Sequence, residues 1–211
     1  GFETTAVSAP LRYSYSPYGD WAFILDAPFT YLRNGGASSL TGSIGLGFRL
    51  PLFTQWSLTP IFRLGSGGSL DLCTAGNFAS FGIDSNYDLP LGSYVLSMTN
   101  YAGYVTSANF WLSGINFNYG LQTYLFKNGL TLASCEGFTL WERPFNFNLY
   151  VIDTAFSKKR LFISHYDEVG ISVNTSYLNR CLEYDLLSVG LSYTFGEQSY
   201  HGWTLTASYQ F

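Results

Sequence analysis

The densest run of reactive side chains in this sequence is Ser164-His165-Tyr166-Asp167-Glu168. A hydroxyl, an imidazole and carboxylates are the ingredients of nucleophilic catalysis, with His165 as base, Asp167 as orienter and Ser164 as nucleophile. The spacing argues against that use. In an extended chain successive side chains project to opposite faces. His165 and Asp167 therefore share a face with Val169 and Ile171, while Ser164 and Glu168 lie on the other. Neighbours on one strand cannot converge on a substrate, so no catalytic set is expected and the chain is read as no enzyme. There are only two histidines, and the second, His201, reads as a solvated loop residue. Cys73, Cys135 and Cys181 do not have the spacing of a zinc site. No metal and no cofactor are expected. An odd number of cysteines leaves two readings open, one disulfide with a free thiol or three reduced thiols. Gly65-Ser-Gly-Gly68 lacks the Lys-Ser/Thr ending and the following helix of a phosphate loop, and reads as small residues within a strand.

A second set of ionisable groups is spread along the chain: Asp26, Arg49, Arg63, Asp84, Asp88 and Glu168. Each falls on the polar side of a segment whose other side is apolar. The elements that carry them alternate with a period of two. In Leu40–Phe53 the even positions Ile44, Leu46, Phe48, Leu50 and Leu52 are apolar, and Thr41, Ser43, Gly45, Gly47 and Arg49 are small or polar. Trp56, Leu58, Pro60, Phe62 and Leu64 face one way; Ser57, Thr59, Arg63, Gly65 and Gly67 face the other. Trp111, Ile115, Phe117, Tyr119, Leu121 and Leu125 form an apolar set, and so do Leu187, Val189, Leu191, Tyr193 and Phe195. The closing segment, Trp203, Leu205, Ala207, Tyr209 and Phe211, alternates with Thr204, Thr206, Ser208 and Gln210 and ends on an aromatic residue. No stretch has helical periodicity over several turns.

Composition says what solvates the apolar side. Of 211 residues, 47% are hydrophobic, 19% aromatic and 11% charged, against roughly 25% charge in an ordinary soluble domain. No run of about 18 apolar residues could make a transmembrane helix. Amphipathic segments of about ten residues or more, with Trp and Tyr near their ends and a Gly/Ser/Thr/Asn-rich opposite face, match membrane β-barrel strands. The net charge of −4 argues against a nucleic-acid partner, which needs a basic face.

The predicted fold is all-β: a transmembrane antiparallel up-and-down barrel of twelve strands, with ten as the alternative. The strands are expected at 10–17, 20–33, 40–53, 56–70, 78–91, 94–107, 110–126, 130–142, 145–157, 160–175, 182–195 and 202–211. Residues 1–19 are an N-terminal segment, either first strand or lumen insert, and residues 20–211 are the barrel. Thr54-Gln55 and Gly92-Ser93 read as tight turns, and Asn128-Gly129 as a hairpin turn. Twelve strands put the first two of these at the end opposite the C-terminus. The ten-strand reading, which merges Leu130–Ser157 into one strand, places them better.

Asp26, Arg49, Arg63, Asp84, Asp88 and Glu168 are then lumen-lining. Trial registers put Asp26 beside Arg49 and Asp84 beside Arg63. Such groups either select solutes at a constriction or pair with one another and stiffen a narrow interior; the second reading is preferred because small barrels are filled by their own side chains. Trp203, Leu205, Ala207, Tyr209 and Phe211 are the lipid-facing side of the closing strand. His165 and Asp167 belong to the aqueous extension of their strand. Lys158-Lys159-Arg160 reads as a solvated hairpin tip, and Asn174-Thr-Ser as a chance match to a glycosylation site.

Several strings, in their order along the chain, carry a family resemblance: WSLTPIFRLGSGGSLDL at 56–72, SMTNYAGYV at 97–105, KNGLTL at 127–132, DTAF at 153–156, SHYDEVGIS at 164–172, and GLSYTFGE followed by HGWTL at 190–205. Together they resemble the solitary outer-membrane autotransporter β-barrel domains. The resemblance implies a translocator-like barrel in the bacterial outer membrane with no secreted passenger, and nothing before Trp21 reads as one. It implies contact with outer-membrane lipid and lipopolysaccharide, and with the barrel assembly machinery through the C-terminal strand. Fold does not fix function. The expected role is structural or small-pore and non-enzymatic. The alternative is a surface interaction or anchoring subunit that binds an envelope protein partner, with an outer-membrane hydrolase behind both.

Overall fold

The computed structural model describes residues 2–17, 21–34, 36–69, 71, 74–108, 110–112, 115–117, 120, 122–135, 137–140, 143–157, 164–175 and 187–210. Fourteen strands follow one another: β1 (Phe2–Tyr15), β2 (Ala22–Asn34), β3 (Ala37–Phe53), β4 (Trp56–Ser69), β5 (Thr74–Leu91), β6 (Tyr94–Ala108), β7 (Phe110–Leu112), β8 (Ile115–Phe117), β9 (Gln122–Ser134), β10 (Phe138–Leu140), β11 (Arg143–Phe156), β12 (His165–Thr175), β13 (Leu187–Gly196) and β14 (Tyr200–Gln210). Twelve of them hydrogen-bond into one sheet. Strand β11 pairs with β12 on one edge; on the other it pairs first with β10, at Arg143–Phe145, and then with β9, at Asn148–Phe156. The pairing with β9 closes eleven strands into a barrel and leaves β10 as a short outside strand. Strands β7 and β8 form a separate two-stranded hairpin between β6 and β9.

Every adjacent wall pair is antiparallel except one. Strands β1 and β14 run parallel, from Phe2 opposite Tyr200 to Arg12 opposite Gln210. This follows from counting: with an odd number of up-and-down strands the first and last point the same way, so closure has to be parallel. Closure matters because hydrocarbon offers no partner to an open edge. Residues Phe2–Tyr15 are thereby part of the wall, between β14 and β2.

The wall is inside out. All eleven wall strands carry large apolar side chains on the exposed side, among them Leu46 at 65% and Leu64 at 56% exposure. Among the described residues only five apolar side chains are buried, Ala6, Ala22, Ile24, Ile61 and Val95, against thirteen polar or charged ones, mostly Ser and Thr. A water-soluble fold has the reverse distribution. Trp203, Leu205 and Ala207 are exposed on the outer face of β14; the side chains of Tyr209 and Phe211 lie outside the described residues. No described helix is long and apolar enough to cross a membrane, which has no bearing on crossing by strands.

Four expectations need correction. Asn128-Gly129 is not a turn. Both residues lie within β9, paired with Asn100 and Thr99 on one side and with Asp153 and Ile152 on the other. The segment expected as one strand at 110–126 is therefore divided between the β7–β8 hairpin and the start of β9. Leu125, expected to face outward, shares the inner face with buried Thr123, while Tyr124 and Phe126 face out. The merged strand of the ten-strand alternative does not form either, since β9 and β11 are separate antiparallel neighbours. Removing one false hairpin reverses the direction of everything before it. The tight turns at Thr54-Gln55 and Gly92-Ser93 thus lie at the same end of the barrel as Gln210, where β1 and β14 both finish.

Cys135, just after β9, is disulfide-bonded. The other two cysteines, Cys73 and Cys181, lie outside the described residues, as do Lys158, Lys159 and Arg160. Asn174 is almost fully buried on the inner face, out of reach of a glycosylating enzyme.

Candidate functional site: the charged interior

The inner face of β2 carries Asp26, directly opposite Gly45 on β3, and Gly45 is directly opposite Arg63 on β4. The arginine reaches across the glycine. Its Nε and Nη2 donate to Asp26 Oδ2 at 3.0 and 2.8 Å. Only Gly permits this, because a Cβ at position 45 would run into the Asp26 carboxylate and lie 2.8 Å from Arg63 Cγ. Asp26 Oδ1 is buried and has no hydrogen-bond partner among the described residues. On the other side of Asp26, Arg12 of β1 occupies the directly opposed position.

A second row runs at the next level. Asp84 on β5 is opposite Tyr101 on β6, Tyr101 is opposite Lys127 on β9, and Lys127 is opposite Thr154 on β11. The Tyr101 ring lies flat on the wall, over the paired glycines Gly82 and Gly103, filling the space their side chains would take. Arg63 Cζ stands 5.8 Å from the centre of that ring, a cation–π contact. Tyr150 covers Gly170 in the same manner. Asp84 is within electrostatic reach of Arg63, Arg12 and Lys127, and Lys127 within reach of Glu168 and Asp84. The network thus contains three cations, Arg12, Arg63 and Lys127, and three carboxylates, Asp26, Asp84 and Glu168. Its formal charge balances. Below it Ile24 and Ile61, opposite Gly47 from either side, point inward and are buried, so this part of the interior is packed rather than wet.

The six residues expected in the interior do not all belong to this network. Asp26, Arg63, Asp84 and Glu168 do. The register opposes Arg49 to Ala22 instead of Asp26, and Asp84 to Thr59 instead of Arg63. The pairing is therefore Asp26 with Arg63, not Asp26 with Arg49. Asp88 lies near the Thr54-Gln55 turn. It accepts from Ser97 Oγ at 2.5 Å and Asn86 Nδ2 at 2.8 Å, and its backbone N–H donates to Gln55 O; it ties strand ends together. Sequence reading missed Arg12, Tyr101, Lys127 and Gly45. Lys127 was hidden by the false turn. The signal for Gly45 was a small residue on the inner face between two charged neighbours.

The His165 group is elsewhere, on the outer face near the opposite end from Gln210. His165 Nε2 meets Asp153 Oδ1 at 2.6 Å, while the Ser164 hydroxyl donates to Glu197 Oε2 at 2.6 Å. That hydroxyl bond holds the Glu197 carboxyl below the usual carboxylate range. Serine and histidine turn away from each other, as strand alternation requires. A recess of about 770 Å³ is also on the outer wall. Its lining is aromatic and aliphatic, including Tyr13, Phe23, Leu25, Leu46 and Phe62; it has no reactive groups and faces the surrounding solvent.

No family model matches this chain, and no curated protein matches it. Solved structures do. The β domain of the Bordetella autotransporter BrkA superimposes with a TM-score of 0.63 at 12% identity, over 92% of this chain and 84% of that one. A bacterial polysaccharide outer membrane secretin aligns with a TM-score of 0.43 at 8% identity, over 92% and 73%, too distant to bear on the fold. With the closed wall and its apolar exterior, the first likeness gives the fold: a closed transmembrane-type β-barrel similar to that of the autotransporter β domain.

Proposed function

We propose that this protein is a structural outer-membrane barrel, non-enzymatic, whose interior is a small pore at most because its own ion-paired side chains line and narrow it. The observation that carries the reading is the Asp26–Arg63 pair reaching over Gly45, joined by Arg12, Asp84, Lys127 and Glu168 into a charge-balanced network. A wide conduit needs a water-filled lumen; this interior has a buried ion pair, a flat tyrosine and inward isoleucines. Contact with lipopolysaccharide and insertion through the C-terminal strand fit the same reading. The test is single-channel recording in a planar bilayer. The unaltered protein should show little steady conductance. Arg63→Ala should raise it and favour cations, because removing one cation leaves the network net negative. A large, unselective conductance that Arg63→Ala does not change would overturn the proposal.

A further inference from the structure

The outer face carries a group of side chains with no part in the interior network. Asp153 on β11 and Asp167 on β12 are directly opposed across the strand pair. Both point outward, one position beyond the lipid-facing pair Val151 and Val169. Like charges placed directly opposite destabilise a sheet. Among the described residues neither carboxylate has a Lys or Arg partner. His165, two residues before Asp167 on the same face, meets Asp153 Oδ1 at 2.6 Å. One ligand atom from each of Asp153, His165 and Asp167 lies within 4.8 Å of the others. Asn128 of β9 donates from Nδ2 to Asp153 Oδ2 at 3.0 Å, fixing that carboxylate from behind. The Ser164–Glu197 hydrogen bond pins the backbone on the far side of His165.

We infer that Asp153, His165 and Asp167 form a divalent-cation site of the zinc class on the outer rim of the barrel. One imidazole nitrogen and two carboxylate oxygens suit Zn²⁺ at distances of about 2.0–2.2 Å, with a fourth position open to water. An ion at the centre of the group removes the conflict between the two opposed carboxylates. It takes the place of the His165–Asp153 contact, with the imidazole neutral as a ligand must be. The ligands sit on neighbouring strands of a closed wall, so small side-chain rotations are enough to close the 4.8 Å group around a metal. Asn128 is the outer-shell partner that such sites use to orient a ligand. His165 and Asp153 keep 45% and 39% of their side-chain surface exposed, which leaves an entry path. This assignment does not depend on what the interior does.

The experiment is calorimetric titration of the folded full chain in detergent with ZnCl₂. One ion per chain is expected, and His165→Ala or Asp167→Asn should each weaken binding by about tenfold or more. Folding of each variant is checked by heat-modifiable gel mobility. X-ray absorption on the zinc-loaded unaltered protein gives an independent reading, with one imidazole nitrogen and otherwise oxygen around the metal. Absence of binding, equal binding by the variants, or a sulfur-containing shell would each overturn the assignment.

Discussion

Breaking the Asp26–Arg63 pair from its two sides should have unequal costs. Arg63→Ala strips Asp26 of both donors, at 3.0 and 2.8 Å, and leaves a carboxylate that is 7% exposed with Arg12 on the adjacent strand as its nearest cation. Breaking a buried ion pair from one side costs about 3–5 kcal/mol. Because the arginine is 20% exposed and Arg12 compensates in part, we expect about 2–3 kcal/mol. Asp26→Ala leaves Arg63, which keeps Asp84 within reach and the Tyr101 ring beneath it. Its cost should be about 1 kcal/mol. The double variant buries no unpaired charge and should lose only about 1–2 kcal/mol, which makes the coupling energy roughly 2 kcal/mol. The assay is reversible urea unfolding from lipid, followed by tryptophan fluorescence, with the denaturant slope compared across the set. Additivity within about 0.5 kcal/mol would refute the interaction, and a costlier Asp26→Ala would refute the asymmetry.

Two further outcomes follow from the exterior and the loops. Leu205 lies mid-strand on β14, exposed and flanked by Leu191 and Val7; Leu205→Arg should destabilise the lipid-inserted barrel by about 2–4 kcal/mol, whereas an ordinary surface substitution measures within about 0.5 kcal/mol, and that smaller value would contradict a hydrocarbon environment. Asp71 accepts from the Ser38 hydroxyl at 2.6 Å and the Ser38 backbone N–H at 2.7 Å, chiefly the hydroxyl bond holding its carboxyl below the usual range. A lowered folded value means the latch contributes above the unfolded value, about 3.9, and is lost as pH falls through the folded one. The Ser38 amide resonance should therefore titrate below an ordinary aspartate, and an unshifted titration would discount the latch.

Much of the wall was readable because one physical constraint dominates it. Lipid outside and polar packing inside force a period of two on every strand, so β3, β4, β13 and β14 declare both their faces. Exceptions mark where packing overrides the pattern. Ile61 stands on the polar side of β4 between Thr59 and Arg63, and no count of polar residues foretells it. It is buried because Gly47 opposite leaves it room. The interior pairing was misplaced for a different reason. Sequence alternation tells which side a residue faces, not its height along the neighbour. Height is set by the turn. Asn34 pairs directly with Ala37, whereas the expected loop ran from 34 to 39. The shorter connection slides Asp26 from the neighbourhood of Arg49 to Gly45, and so to Arg63.

That slip and the false hairpin both concern where the chain reverses. A two-residue turn without a neighbouring bulge places residues i and i+3 opposite each other on the same face, so the outward set changes parity across it. The outward set is odd in β2, with Phe29 and Tyr31, and even in β3, with Leu40 and Ile44, and Gly35-Gly36 lies between them. Leu91 pairs with Tyr94, and the outward set again changes from odd, Phe81 and Ile83, to even, Tyr94 and Met98. Across Asn128-Gly129 it does not change: Tyr124 and Phe126 precede the pair, Leu130 follows, and all are even and exposed. The unbroken phase marks a continuous strand, with Gly129 packed against Thr99 on the inner face and Asn128 bonded to Asp153 on the outer. Asn-Gly has a strong local preference for a turn, but two long ladders, to β6 and to β11, outweigh it. Phase therefore has to be read together with bulges: at Thr54-Gln55 the chain does reverse, but the irregularity between Pro51 and Phe53 keeps the outward set even on both sides, Leu50 and Leu52 before the turn and Phe62 and Leu64 after it.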